Sequence, residues 1–273
     1  MQKRTINPEE INFKDKFDLT GKVIIITGGM GLIGRAFSEA CVQYGANVVI
    51  ADIEKAGAED HAAKLSERSG TEMLGISFNV GNRQDVEKLK ETVIRKFGKI
   101  DGLVNCHQNK TAKFFAKFEE YVDEDWDAVV ETNLKGTYLT CQIIGSYMAE
   151  KGSGSIVNMP STYSVVAPNQ NLYKGTSIGC PAAYSASKGG VMALSQYLST
   201  YWADKGVRVN QITPHGVWNN HEDQFEKNFA NFSPLQRMSY NHEVAGAVIF
   251  LLSDASSYVT GDNIRVDGGW TAW

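Results

Sequence analysis

Short apolar runs recur along the chain. Between them lie segments whose apolar residues fall three or four positions apart. "KVIIIT", "ANVVIAD", "MLGISFNV", "IDGLVNC", "SIVNM", "VRVNQITP" and "DNIRVDGG" are the runs. Most are apolar throughout rather than alternating, which predicts strands buried on both faces, as in a parallel sheet covered by helices. The intervening "LIGRAFSEACVQYG", stopped by Gly45, and "KAGAEDHAAKLSERSG" read as helices. In "RQDVEKLKETVIRKFG" Val86, Leu89, Val93 and Phe97 make one apolar stripe. A long helix is expected from about Asp125 to Glu150, another around "AAYSASKGG", and a last one in "HEVAGAVIFLLSD". The segment "GVWNNHEDQFEKNFANFSPLQRM" is looser. No repeat, low-complexity tract or linker divides the pattern, so one α/β domain is expected over residues 17–273. Residues 1–16, polar and without period, read as an N-terminal extension.

Composition narrows the class. The 273 residues are 42% hydrophobic and 21% charged, enough for one large core. A net charge of -4 does not favour nucleic acid or an anionic membrane as partner. Lys110, Lys113 and Lys117 among Phe114, Phe115 and Phe118 read as a mixed helix face or a subunit contact. The N-terminus has no signal-like apolar stretch, and no run is long enough to span a membrane. Cys41, Cys106, Cys141 and Cys180 form no Cys-x-x-Cys pair, so reduced thiols in a cytoplasmic protein are expected. His215, His221, Cys106 and His107 have no metal-ligand spacing, and no metal is expected.

Candidate chemistry begins where the first strand runs into "TGGMGLIG". Gly28, Gly31 and Gly34 let backbone approach a diphosphate, and the helix that opens there offers unpaired N–H groups. A plain turn would use glycines too. Asp52 ends the second strand about 20 residues on, where an acid binds the ribose 2′-hydroxyl of NAD and repels the extra phosphate of NADP. It could equally be a polar strand end. Tyr184 and Lys188 stand one helical turn apart and share a face, as a functional pair or a solvated one.

Taken in order, the glycine turn, Asp52, "DGLVN", "NLKGTYL", "GSIVNM", "YSASKGG", "VRVNQITP" and "GDNIRVDGGWTAW" resemble the successive landmarks of the short-chain dehydrogenase/reductase family. The resemblance runs from about Phe17 to the C-terminus. It implies a Rossmann-type, doubly wound, seven-stranded parallel sheet in the order 3-2-1-4-5-6-7, and a homodimer or homotetramer. By position it implies Asn133, Ser161, Tyr184 and Lys188 as catalytic residues. It implies a cofactor site of Gly28, Gly31, Leu32, Ile33, Gly34, Asp52, Asn79, Val80, Asn105, Tyr184, Lys188, Pro214, Gly216 and Val217. NAD is expected as cofactor before NADP.

On this reading Tyr184 moves the substrate proton. A free phenol titrates near 10, and the Lys188 ammonium with the positive nicotinamide would lower it; about two units correspond to about 2.7 kcal/mol. Ser161 donates to the substrate oxygen. Asn133 sits in a local break of its helix and holds a water linked to Lys188. The function implied is interconversion of a secondary alcohol and a ketone.

The chain departs from the family pattern at "NCHQ" after strand four, at Asn79, at Pro214-His215, and between Ser161 and Tyr184. That last connection is longer than usual by about ten residues, and long loops in compact domains tend to be functional. "STYSVVAPNQNLYKGT" with "PAAYSASK" resembles a bacterial branch linked to surface-glycan and flagellin modification, which implies a polar, sugar-type substrate. Lys174 in this loop is a candidate substrate contact. Trp218, Phe225, Phe229 and Phe232 fall in a lid region and read as pocket wall or as core; of these Trp218 is a candidate substrate contact. Two rivals share the motifs: an epimerase or dehydratase using NAD transiently, and a non-catalytic NAD-binding regulator.

Overall fold

Val23–Thr27, five buried residues ending in a threonine, form β1, an interior strand of a seven-stranded sheet. The computed structural model describes residues 11–273. The other strands are β2 (Asn47–Asp52), β3 (Met73–Ser77), β4 (Gly102–Asn105), β5 (Gly154–Asn158), β6 (Val207–Pro214) and β7 (Asn263–Val266). All pair in parallel, in the order β3-β2-β1-β4-β5-β6-β7. The expected fold class and strand order are those observed. The expected extension, residues 1–16, lies mostly outside the described residues. Asp15–Phe17 form a short turn that sets Phe17 against Phe250, ring centres 6.5 Å apart.

Successive strand residues point to opposite faces, and both faces are covered, which explains runs without alternation. Ile24 and Ile26 pack toward α1 (Leu32–Gln43), through Phe37 and Cys41, and α9 (Asn241–Leu252), through Val244 and Val248. Val23 and Ile25 pack the other way, with α3 (Arg83–Phe97) contributing Val86, Leu89 and Val93. The second helix, α2 (Lys55–Ser69), ends at Gly70 and covers the outer strands through Ala58, Ala62 and Leu65.

The expected long helix runs from Asp123 to Lys151 but is not regular. It comprises α4 (Asp123–Val130), a π segment (Glu131–Lys135), α5 (Gly136–Thr140), a second π segment (Cys141–Gly145) and α6 (Ser146–Lys151). β3 ends at Ser77, earlier than "MLGISFNV" implied. Asn79 leaves the sheet in a turn, its Oδ1 accepting from the Gly81 N–H at 3.0 Å. The looser segment after β6 contains a further helix, α8 (Asp223–Phe232), with Phe225 and Phe229 buried. Tyr184 and Lys188 are on α7 (Ala182–Tyr201). No helix among the described residues is long and apolar enough to cross a membrane.

Candidate active site

The C-terminal ends of β1, β2, β4, β5 and β6 open into one cleft of about 670 Å³. In open α/β sheets this edge, where the strand order reverses, is where ligands bind. At one end stand Gly28, Gly31, Leu32, Ile33, Gly34 and Asp52; at the other stand Ser161, Tyr163, Tyr173 and Tyr184. Pro214, Gly216 and Val217 line it from the β6 side. A smaller hollow of about 190 Å³ continues past Asp52 to Asn79 and Val80.

The first end fits a dinucleotide. Gly28 adopts φ +66°, and a Cβ there would stand 2.6 Å from the His107 Cα. A Cβ on Gly34 would stand 2.3 Å from the Gly28 carbonyl oxygen. The backbone is therefore packed too closely for side chains, and the first turn of α1 faces the cleft with unpaired N–H groups. The Asp52 carboxylate is held at the lip: Oδ2 accepts from the Met30 N–H at 2.9 Å and Oδ1 from the Glu54 N–H at 3.2 Å.

At the other end Ser161 caps the turn Thr162–Ser164. Its Oγ accepts from the Tyr163 N–H at 3.3 Å, which leaves its own proton to donate. Tyr184 is half-buried between Phe114 and Tyr163, ring centres 6.0 and 6.3 Å away. Burial pushes its phenol above the ordinary value, and the Ser161 hydroxyl works against that rise. Lys188 is buried beneath it; Nζ donates to the Met159 carbonyl at 2.7 Å and lies 5.7 Å from the Tyr184 ring centre. Burial lowers the Lys188 ammonium to about 8, so it is mostly charged at neutral pH.

Asn133 lies in the first π segment, in keeping with the expected helix break. Its Nδ2 donates to Ser187 Oγ at 3.1 Å, and its Oδ1 accepts from the Asn109 N–H at 3.0 Å. Ser187 in turn donates to the Tyr184 carbonyl at 2.9 Å. Asn133 thus braces the helix that carries Tyr184 and Lys188.

Three expected contacts are corrected. The Asn105 side chain does not line the cleft. It is buried, donating to Asn158 Oδ1 at 2.8 Å and accepting from Thr140 at 2.9 Å, because β4 must be tied to β5 and the long helix there. Trp218 is 41% exposed and donates Nε1 to Glu226 at 2.7 Å, turned from the cleft. Lys174 is exposed on the outside of its loop; its neighbours Leu172 and Tyr173 face inward instead.

The sequence departures acquire structural roles. His107 is buried behind Gly28, Nδ1 2.6 Å from Thr27 Oγ1 and Nε2 3.3 Å from Thr137 Oγ1. Burial, with the nearby Lys188 charge, lowers it to about 3, so it is neutral. His215 pairs Nδ1 with Thr162 Oγ1 at 2.6 Å and packs 4.3 Å from Trp270; burial lowers it to about 4. Gly216, at φ +55°, lets Phe229 of α8 close on the cleft; a Cβ would be 2.1 Å from that ring. Phe225 and Phe229 are both buried and lining. The pocket role of Tyr163 and Tyr173 was not read from the sequence; two tyrosines inside the long connection after Ser161 were the available signal.

The family model described as enoyl-(acyl carrier protein) reductase matches residues 31–271. The chain belongs to the short-chain dehydrogenase/reductase family. Its curated relatives in this family include the D-threitol dehydrogenase of Mycolicibacterium smegmatis, 35% identical over 96% of this chain and 98% of that protein. The NAD-dependent glycerol dehydrogenase of Listeria innocua is 33% identical over 95% of this chain and 97% of that protein. Among solved short-chain dehydrogenase structures, a gluconate 5-dehydrogenase from Burkholderia cenocepacia, in complex with NADP and tartrate, superposes with a TM-score of 0.86. It is 28% identical, covering 95% of this chain and 98% of that one. This short-chain dehydrogenase/reductase is thus an oxidoreductase of the family, with a nicotinamide dinucleotide, NAD or NADP, as its cofactor class.

Proposed function

We propose that the protein interconverts a secondary alcohol and a ketone on a small polyol or sugar-type substrate, with NAD preferred to NADP. The observation that carries this reading is the single cleft with Asp52 at one end and Ser161 with Tyr184 at the other. When bound, the nicotinamide cofactor supplies the hydride acceptor. Gly28, Gly31, Gly34, Leu32 and Ile33 hold its diphosphate, Asn79 and Val80 border the adenine end, and Pro214, Gly216 and Val217 border the nicotinamide end.

Ser161 donates its free proton to the substrate oxygen and holds it beside Tyr184. Tyr184 then takes the hydroxyl proton at Oη, and returns it in the reverse direction. Burial alone opposes the phenolate, so Tyr184 needs a cation near it; Lys188 is the ammonium one turn away. Asn133 keeps α7 in place through Ser187. The Asp52 carboxylate offers acceptors to a ribose 2′,3′-diol and repels a 2′-phosphate.

The substrate class is supported by the relatives named for threitol and glycerol. A place in glycan or flagellin-modification synthesis is the narrower form of this reading; it rests on the inserted loop's resemblance alone. A homodimer or homotetramer belongs to the same reading, as does a domain beginning near Phe17. The exposed Tyr138, Tyr197 and Tyr201, bordering a hollow of about 580 Å³, are the surface we assign to subunit contact.

Fluorescence titration with NADH and NADPH tests the cofactor. Reduction of NAD at 340 nm with glycerol, threitol and mannitol then tests the substrate. Tighter NADPH binding would overturn the role of Asp52; equal rates for polyols and 2-butanol would overturn the substrate class. Turnover abolished by Tyr184→Phe would exclude a non-catalytic regulator, and NADH accumulation would exclude an epimerase.

A further inference from the structure

We propose that the paired hydroxyls of Tyr163 and Tyr173 form a second polar subsite, which binds a substrate hydroxyl beyond the reacting carbon and so selects polyhydroxylated substrates. The proposal rests on the polyol reading above and deepens it.

Tyr163 follows Ser161 by two residues, in the turn that Ser161 caps. Its ring stands at 89° to that of Tyr184, which brings it next to the reacting centre. Tyr173 arrives from the inserted loop, at the end of the turn Gln170–Tyr173. Both rings line the catalytic end of the cleft, and their hydroxyls are hydrogen-bonded to each other.

Proton counting gives the pair its function. Each phenol carries one proton, and one is spent between the two oxygens, whichever donates. The other has no hydrogen-bonded oxygen or nitrogen among the described residues. The Cys180 thiol beside Tyr173 is a weak acceptor. Leu172, Ile178, Phe225 and Phe229 make much of the surrounding wall apolar, with the His215 ring against Tyr163 as its polar member. Burial keeps both phenols protonated through the working pH range. The spare proton therefore has at most the weakly accepting Cys180 sulfur, and a ligand oxygen entering the cleft would satisfy it better.

The donor is also held in place. Asn228 of α8 donates Nδ2 to the carbonyls of Leu172 and Lys174, both at 2.9 Å, clamping the backbone on either side of Tyr173. A substrate lacking the second hydroxyl leaves this donor poorly paired in a largely apolar wall, and such poorly paired groups are a source of discrimination.

The test is the ratio of kcat/KM for threitol to that for 2-butanol, in the full-length protein with NAD. Tyr163→Phe and Tyr173→Phe are each expected to lower the ratio about threefold, and the double variant about tenfold, chiefly through the KM for threitol. NADH titration checks that each variant keeps its cofactor cleft. If the double variant does not bind NADH, the single variants carry the test. An unchanged ratio in NADH-binding variants, with wild type favouring threitol, would overturn the subsite while leaving the polyol reading intact. No preference for threitol in wild type would overturn both.

Discussion

The ammonium nitrogen of Lys188 lies 5.7 Å from the centre of the Tyr184 ring, one helical turn along α7, and is tied to the Met159 carbonyl at 2.7 Å. The charge is thus fixed to the sheet edge and cannot swing into solvent. Burial pushes the Tyr184 phenol up, so this cation decides whether a phenolate is accessible. Lys188→Met removes it. The expected result is a kcat for alcohol oxidation lower by about 10²-fold or more, with the rising limb of its pH profile moved to higher pH. A profile with an unmoved limb would show that Lys188 does not tune Tyr184.

His107 and His215 predict acid sensitivity. Burial lowers them to about 3 and about 4, while an unfolded histidine titrates near 6.5. Between those values the unfolded chain binds more protons than the folded one, so stability falls as pH drops below about 6.5. At pH 5 the loss is about 2 kcal/mol for each histidine, relative to neutral pH. Urea melts at pH 7.5 and 5 measure it. His107→Asn keeps an amide opposite Thr27 and should lose about 2 kcal/mol less between the two pH values than wild type. Equal losses would contradict the assignment.

Asn228 joins the inserted loop to α8 through the carbonyls of Leu172 and Lys174. Ser177 adds a link to Glu222. Asn228→Ala leaves two carbonyls without this donor and frees Tyr173 to drift. We expect proteolytic cleavage within residues 165–180 to accelerate, and KM for the polyol to rise about three- to tenfold. Cleavage at the wild-type rate would mean that the loop is held by its apolar contacts with Phe225 and Phe229 instead.

Lys174→Ala and Trp218→Phe test the other side of the same wall. Lys174 is exposed and Trp218 bonds Glu226 rather than facing the cleft. Both variants should leave KM and kcat within about twofold of wild type. A raised KM in Lys174→Ala would return that lysine to the substrate site.

Much of this molecule was legible before any contact was known. Apolar strand residues without alternation implied both-sided burial, and the sheet buries Val23 and Ile25 on one face and Ile24 and Ile26 on the other. The glycine turn, Asp52 and the Tyr184–Lys188 spacing are local patterns, and local geometry fixes their meaning: a turn without Cβ atoms, a strand end, one helix face. The π segment at Asn133 and the α8 helix were only half legible. Phe225, Phe229 and Phe232 do recur at helical spacing, but a loop so rich in polar residues masks it.

Tertiary structure alone decided the rest. Asn105 and Asn133 are the same residue type near the same cleft, and both became braces because their neighbours, Asn158 and Ser187, come from distant elements. Trp218 and Tyr173 are both aromatic residues in irregular segments; only the packing of α8 against the inserted loop turned one outward and the other toward Ser161. Side-chain periodicity is written in adjacent residues and survives in the sequence. Which loop residue meets a site depends on where two separately connected segments touch, and that is set by long-range packing.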